Sequence, residues 1–221
     1  TSQFVQSPDT YIGRSVAFDL AVYYQKPLEL GSRNGEIRWG VDISNKALNF
    51  CRKRGLEKLE QGKAEKLPFR ERLFDLVAML DILEHVKDDR KALEEAHRVL
   101  SKQGHLLITV PACPFLWSGH DEALDHQRRY TQEELRKKVN QAGFKIKKFS
   151  YAISFLALPI IIWRCFQKFF VRRAYPHTSY VVLPTWLNQL FVFLLKVEAT
   201  LLRYMNLPFG ISLVCLAKKA E

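Results

Sequence analysis

Cysteine is scarce and scattered. The 221 residues hold four, at positions 51, 113, 165 and 215, and no two form a C-x-x-C pair. That spacing argues against a zinc site or a disulfide framework and makes a reducing compartment the default. Glycine (10) and proline (9) are few, which excludes a collagen-like or low-complexity chain. Residues 1–25 hold no basic stretch followed by a long apolar run, so no signal peptide is expected. Long hydrophobic runs are also missing. The nearest, residues 153–163, is stopped by Arg164, short of the roughly 18 residues of a membrane span. The chain is therefore expected not to cross a membrane. Acidic residues are outnumbered, 23 against 34 Lys and Arg, for a net charge of +11 and a pI near 9.6. That balance points to an anionic partner: nucleic acid, a membrane surface or an acidic substrate.

Apolar residues are plentiful. At 48% hydrophobic, the chain can build the core of one large domain with an elaboration. Charge divides it near residue 150. From 151 to 216 there are six basic residues (Arg164, Lys168, Arg172, Arg173, Lys196, Arg203) and one acid, Glu198; the rest carries 28 basic against 22 acidic. The front alternates elements. Apolar runs at 27–30, 37–43, 74–80, 106–110, 144–149 and 211–217 read as strands; 45–54, 88–100 and 131–140 have helical spacing. The run at 74–80 is near-continuous and reads as buried on both faces. Thr131 with Glu134 forms a capping-box pattern. This βαβα rhythm argues for a parallel sheet covered by helices.

Acidic residues recur at strand ends. Glu29 precedes the turn Gly31-Ser32-Arg33-Asn34-Gly35, and Asp42 ends the next strand before Ser44, a helix-cap residue. In doubly wound folds an acid there accepts from ribose hydroxyls. Gly62-Lys63-Ala64-Glu65 follows, then Leu80-Asp81-Ile82-Leu83-Glu84-His85, then residues 98–111 ending at Pro111. With this ordered set the sequence resembles the class I S-adenosylmethionine-dependent methyltransferases, particularly the small-molecule and quinone-type branch, over roughly residues 26–150.

The resemblance implies an α/β, Rossmann-like, mostly parallel seven-stranded sheet with helices on both faces. Its last strand would be antiparallel, preceded by a helical insertion. The chain would divide into a cofactor-binding core with an N-terminal helical segment (1–150), an apolar, basic helical lid (151–209) and a final core strand (210–221). S-adenosylmethionine is the implied cofactor. Glu29 would contact its methionine amino group, Gly31 and Gly35 would pass beneath it, Asp42 would bind the ribose diol, and Ile43 would pack on adenine. Ala64 and Glu65 would lie beside the adenine edge, Leu80 and Asp81 would close over the methionine end, and His85 would sit near the transferred methyl. Two positions depart from the family. Arg33 stands where it often has Gly, and Lys63 where it has an Asp that accepts from the adenine amino group; a lysine cannot accept.

The spacing is anomalous at one point. Only Glu36, Ile37, Arg38 and Trp39 separate Gly35 from Gly40, whereas a parallel crossover needs about a dozen residues. The expectation is a loop and helix absent between Gly35 and Trp39, or else a truncated, inactive fold that binds a membrane or protein partner.

Residues 111–130 follow a strand's carboxyl end, where such sheets place ligands. His120, Asp121, His126, Arg128, Arg129 and Tyr130 are therefore candidate substrate contacts, and His85 and His120 candidate bases. Metal ligation ranks below these readings, because no His-x-x-x-His spacing appears; no metal is expected. In the back, Trp163 and the helical repeat Trp186, Leu190, Phe193, Leu194, Val197, Leu201 and Tyr204 stand beside Lys and Arg. That is the pattern of an interfacial segment touching a membrane or a lipid-like substrate, or of a face buried in the monomer or an oligomer. Nucleic acid ranks low, since no helix-turn-helix or RNA-recognition signature is present. The expected place of work is cytoplasmic, peripheral to a membrane.

Overall fold

The computed structural model describes residues 39–162 and 184–220. The expected N-terminal helical segment, the turn at Glu29, Gly31, Arg33 and Gly35, the short connection up to Arg38, and Trp163 with the basic cluster at 164–173 lie outside them.

Strand β1 (Gly40–Asp42), helix α1 (Asn45–Lys53) and strand β2 (Leu59–Gln61) form the first unit. Ser44 caps α1, its hydroxyl accepting from Ala47 N at 3.4 Å. Gly55, at φ +85°, takes the left-handed turn that ends the helix. Leu48, Cys51 and Leu59 make a small core beneath β1 and β2, which pair in parallel.

Strand β3 (Phe74–Leu80), helix α2 (Asp89–Val99) and strand β4 (Leu100–Pro111) follow. Asp88 caps α2 by accepting from Lys91 N at 3.1 Å. Ala92, Leu93, Ala96 and Val99 form its buried stripe. After a 3-10 turn (Pro114–Leu116) come α3 (Gly119–Ala123), α4 (Gln132–Gln141) and β5 (Phe144–Ala152). The Thr131 hydroxyl accepts from Glu134 N at 3.2 Å, while Glu134 itself pairs with Lys138. Helix α5 (Thr185–Tyr204) precedes β6 (Ser212–Lys219), whose alternate residues Leu213, Cys215 and Ala217 enter the core. Burying a large aliphatic side chain such as Leu213 contributes about 1.5–3 kcal/mol.

The sheet order is β3-β4-β6-β5. β3 and β4 are parallel, and β6 runs antiparallel to β4 and β5. The antiparallel last strand and the helix before it thus match expectation. The seven-stranded sheet does not: the described residues form one sheet of two strands and one of four. The strand read at 27–30 lies outside the described residues, and the described strands do not join the two sheets. β3 is consequently not buried on both faces, and Leu76 on it is 40% exposed. The strand read at 144–149 runs on to Ala152, so Tyr151 and Ala152 belong to the sheet rather than to the lid.

Helix α5 bears on the membrane question without reversing the expectation. Its 20 residues are long and apolar enough to cross a membrane by length and composition, though Lys196, Glu198 and Arg203 interrupt the apolar run. Glu198 is its one buried residue, and Trp186, Leu190 and Phe193 are exposed. The segment after α5 is stitched to the sheet. Tyr151 N donates to Leu207 O, Leu207 N to Ser150 Oγ, and Ala112 N to Ile211 O. Gly210 allows this approach, because a Cβ there would lie 2.2 Å from Ala152 O.

Candidate functional site

The carboxyl ends of β3, β4 and β5 share one feature. Asp81, Cys113 and Ile153, just beyond them, hold φ values of +53°, +61° and +57°. Left-handed backbone at non-glycine residues costs energy and concentrates where side chains must be aimed.

At the end of β1, Asp42 is buried, and its Oδ1 accepts from Ser44 N at 2.6 Å. Ile43 beside it is 44% exposed. Gly62 N donates to Asp42 O at 3.1 Å, bringing the next loop against β1. A Cβ on Gly62 would sit 2.7 Å from Pro68 Cδ, so that loop closes only around a glycine. The loop is pinned to α2. Arg98 donates to Leu67 O, Phe69 O and the Glu95 carboxylate, which in turn accepts from Leu67 N. Ala64 and Glu65 are thereby held half-buried above β2. Lys63, the departure from the family pattern, is exposed.

At the end of β3, Leu80 is buried and belongs to the core. Asp81 keeps an exposed edge, but its carboxyl sits in a desolvated recess. That burial raises its pKa, against the Thr109 hydroxyl bond and the nearby His126. The following turn carries Glu84, fully buried, and His85, half-buried. His85 stacks edge-on against His126 with ring centroids 4.7 Å apart. The main chain joins the two segments: Gln127 N donates to Glu84 O at 2.7 Å, and Arg128 Nη2 to Lys87 O at 2.9 Å.

The 112–130 loop divides into a frame and a lining. Asp121 is fully buried and accepts from Arg129 Nε and Nη2 at 2.7 Å, from His126 Nδ1 at 3.1 Å, and from Ser118 N at 3.0 Å. Arg129 also reaches Ala112 O. Tyr130 has no exposure, and its hydroxyl lies 2.8 Å from Asp89 Oδ2 and 3.1 Å from Leu83 O. These three expected substrate contacts therefore build the loop, their polar atoms bonded to protein. His120, His126 and Arg128 are the half-buried residues of the set, the first in α3. Asp89 collects Lys138 Nζ at 2.6 Å and Arg128 Nη1 at 2.9 Å besides Tyr130. Burial pushes its carboxyl up, but these three donors hold it below the usual range.

Two residues that sequence reasoning passed over matter here. Glu84 stands beside His85 in the Asp81-x-x-Glu84-His85 string, a signal that was present in the sequence. Glu198, from α5, accepts from the main-chain N–H of Ile153 (2.5 Å), Ser154 (2.8 Å) and Phe155 (3.1 Å). No local pattern announces that bond, because its partners are more than 40 residues away.

Comparison with known proteins adds to this geometry. Residues 20–108 match a family profile described as a methyltransferase domain. An uncharacterized protein of Methanocaldococcus jannaschii is 30% identical over 139 residues, covering 57% of this chain and 67% of that protein. A demethylmenaquinone methyltransferase of Thermotoga maritima is 31% identical over 108 residues, covering 43% of this chain and 47% of the enzyme. The chain thus spans about half the length of that relative. Among solved structures, an S-adenosylmethionine-dependent methyltransferase of Thermotoga maritima superposes with a TM-score of 0.53 at 22% identity, over 83% of this chain and 73% of that one. At that identity the likeness is one of fold.

Proposed function

The chain belongs to the class I S-adenosylmethionine-dependent methyltransferases, and from that premise we propose that it moves a methyl group from S-adenosylmethionine to a small, apolar or lipid-like acceptor. The family's cofactor is S-adenosylmethionine. The carrying observation is the β1 terminus, where a buried carboxylate, Asp42, adjoins an exposed apolar side chain, Ile43. A carboxylate is an acceptor for two vicinal hydroxyls, and an exposed isoleucine is a surface for a flat base. The residues present therefore fit the group. Ala64 and Glu65 would flank its base, and Asp81 its amino-acid end.

When bound, the cofactor supplies a sulfonium leaving group, so the acceptor attacks the methyl carbon in line and the sulfur keeps the bonding pair. The chain's work is then positioning and exclusion of water. His85 and His120 are the candidates to hold or take the acceptor's proton. The demethylmenaquinone methyltransferase relative supports an apolar acceptor, and so does the exposed apolar face of α5. That face also favours a second, compatible reading, in which residues 153–209 touch a membrane surface while the core stays cytoplasmic. An inactive scaffold that binds a membrane or protein partner is the competing reading, motivated by Lys63.

Calorimetry with S-adenosylmethionine and S-adenosylhomocysteine tests the proposal. Asp42→Ala removes a charged acceptor worth about 1.5–3 kcal/mol, a loss of roughly 10- to 150-fold in affinity. A folded wild-type chain that binds neither ligand would establish the scaffold reading instead.

A further inference from the structure

We propose that Glu84, His85 and His126 form a binding site for a divalent transition-metal ion, with Zn²⁺ the ion their chemistry suits. One ligand atom from each lies within 4.8 Å of the others. Zinc takes nitrogen and carboxylate oxygen at about 2.0–2.2 Å in a tetrahedron, so the three donors would draw together to about 3.4 Å apart around one ion. Two imidazoles with one carboxylate select a borderline ion over Mg²⁺ or Ca²⁺, which take oxygen donors.

A second observation points the same way. Asp121 Oδ1 lies 3.1 Å from His126 Nδ1. A carboxylate only accepts, so Nδ1 is the donor, and the nitrogen left to bind a metal is Nε2, on the side of the ring away from Asp121. Carboxylate–histidine pairs of this kind orient metal-bound imidazoles. Asp121 is itself fixed by the Arg129 fork at 2.7 Å. The two ligand-bearing segments are joined main chain to main chain at Gln127 N and Glu84 O. The donors thus come from a preorganised pair of turns rather than from mobile surface side chains.

Three protein donors leave zinc a position for another ligand, as in sites that do chemistry. The cluster follows Asp81 at the carboxyl end of β3. If the methyl-transfer reading holds, on which this last step rests, an acceptor hydroxyl bound at that position would be acidified, would give its proton to solvent water and would attack the methyl carbon as the oxyanion, with His85 and His126 serving as ligands rather than as proton acceptors.

The test uses the full chain, stripped with a chelator and dialysed. Zn²⁺ is titrated by calorimetry, and Co²⁺ by its visible absorption bands. One ion per chain is expected. His126→Ala should weaken Zn²⁺ at least 100-fold and abolish the Co²⁺ bands with the far-ultraviolet dichroism unchanged; His85→Ala, on the other segment, serves as the second variant should the first fail to fold. Asp121→Asn, a positioning change, should weaken binding by about 10- to 100-fold. Absence of saturable binding by the wild type, or equal binding by the folded His85→Ala/His126→Ala double variant, overturns the site. S-adenosylmethionine is titrated into the same samples. Cofactor binding without zinc binding rejects the metal site alone, and zinc binding without cofactor binding upholds the site and rejects the methyl-transfer reading.

Discussion

Replacing Glu198 by alanine should detach the back of the protein from its sheet. Glu198 is 2% exposed and accepts three consecutive main-chain N–H groups, at Ile153, Ser154 and Phe155. Ser154 N is buried, whereas the Ile153 and Phe155 bonds are partly buried. A donor left without its acceptor costs about 1–3 kcal/mol when water cannot replace it. Counting Ser154 near the top of that range and the other two near the bottom gives about 3–5 kcal/mol. For a chain of this size each kcal/mol moves the melting midpoint by about 2–4 °C, so a fall of roughly 10 °C is expected. Glu198→Gln keeps one acceptor oxygen and should lose about half as much. Thermal melts followed by circular dichroism measure both, and amide hydrogen exchange at 153–155 should rise in parallel. A melt within about 2 °C of wild type, with exchange unchanged, would show that the clamp holds nothing and that α5 is anchored by its half-buried apolar residues.

The Asp89 network should give the protein an acid limb. Because the Asp89 carboxyl titrates below its unfolded value near 3.9, its contribution is complete above that value and disappears as pH falls through the lower, folded one; Asp89→Asn should flatten the melting midpoint against pH below about pH 4. His97 is depressed by burial and by Lys219, so its proton goes first to the unfolded chain, and stability should begin to fall below about pH 6.5; His97→Gln should remove that early decline. The exposed face of α5 should carry the chain onto vesicles. Flotation with anionic liposomes at low salt is expected, weaker at high salt by screening over about 8 Å, and reduced when Trp186, Leu190 and Phe193 are changed together to serine; sedimentation of wild type under both conditions would reject membrane contact.

Local chemistry was legible wherever a signal lies within a few residues. Ser44 and Thr131 cap the helices their sequence positions suggest, because a cap joins a side chain to an amide three residues on. Strand β6 and the buried stripe of α2 followed from periods of two and 3.6, and β3 from its near-continuous apolar run. The acids at strand ends, Asp42 and Asp81, were visible for the same reason, as was the ordered set of motifs that carries the family resemblance. Burial was less legible. Asp121, Arg129 and Tyr130 looked like substrate contacts from their position after β4, and the structure gives their polar atoms to each other, to Asp89 and to carbonyls. A polar side chain reads alike in a loop frame and in a binding surface; only its partners distinguish the two.

What the sequence by itself determined was the α/β class, the helix and strand positions of the front half, and the acids that end β1 and β3, since these rest on local periodicity and turn chemistry. Tertiary structure alone decided which distant groups meet. It joined Glu84 and His85 to His126, and it turned Glu198, which in the sequence is a lone acid in a basic apolar stretch, into the clamp on residues 153–155. Among the described residues it also left Leu76 on β3 exposed. The reason is that burial and long-range hydrogen bonding depend on contacts made across 40 residues or more, and no window short enough to show a period contains both partners.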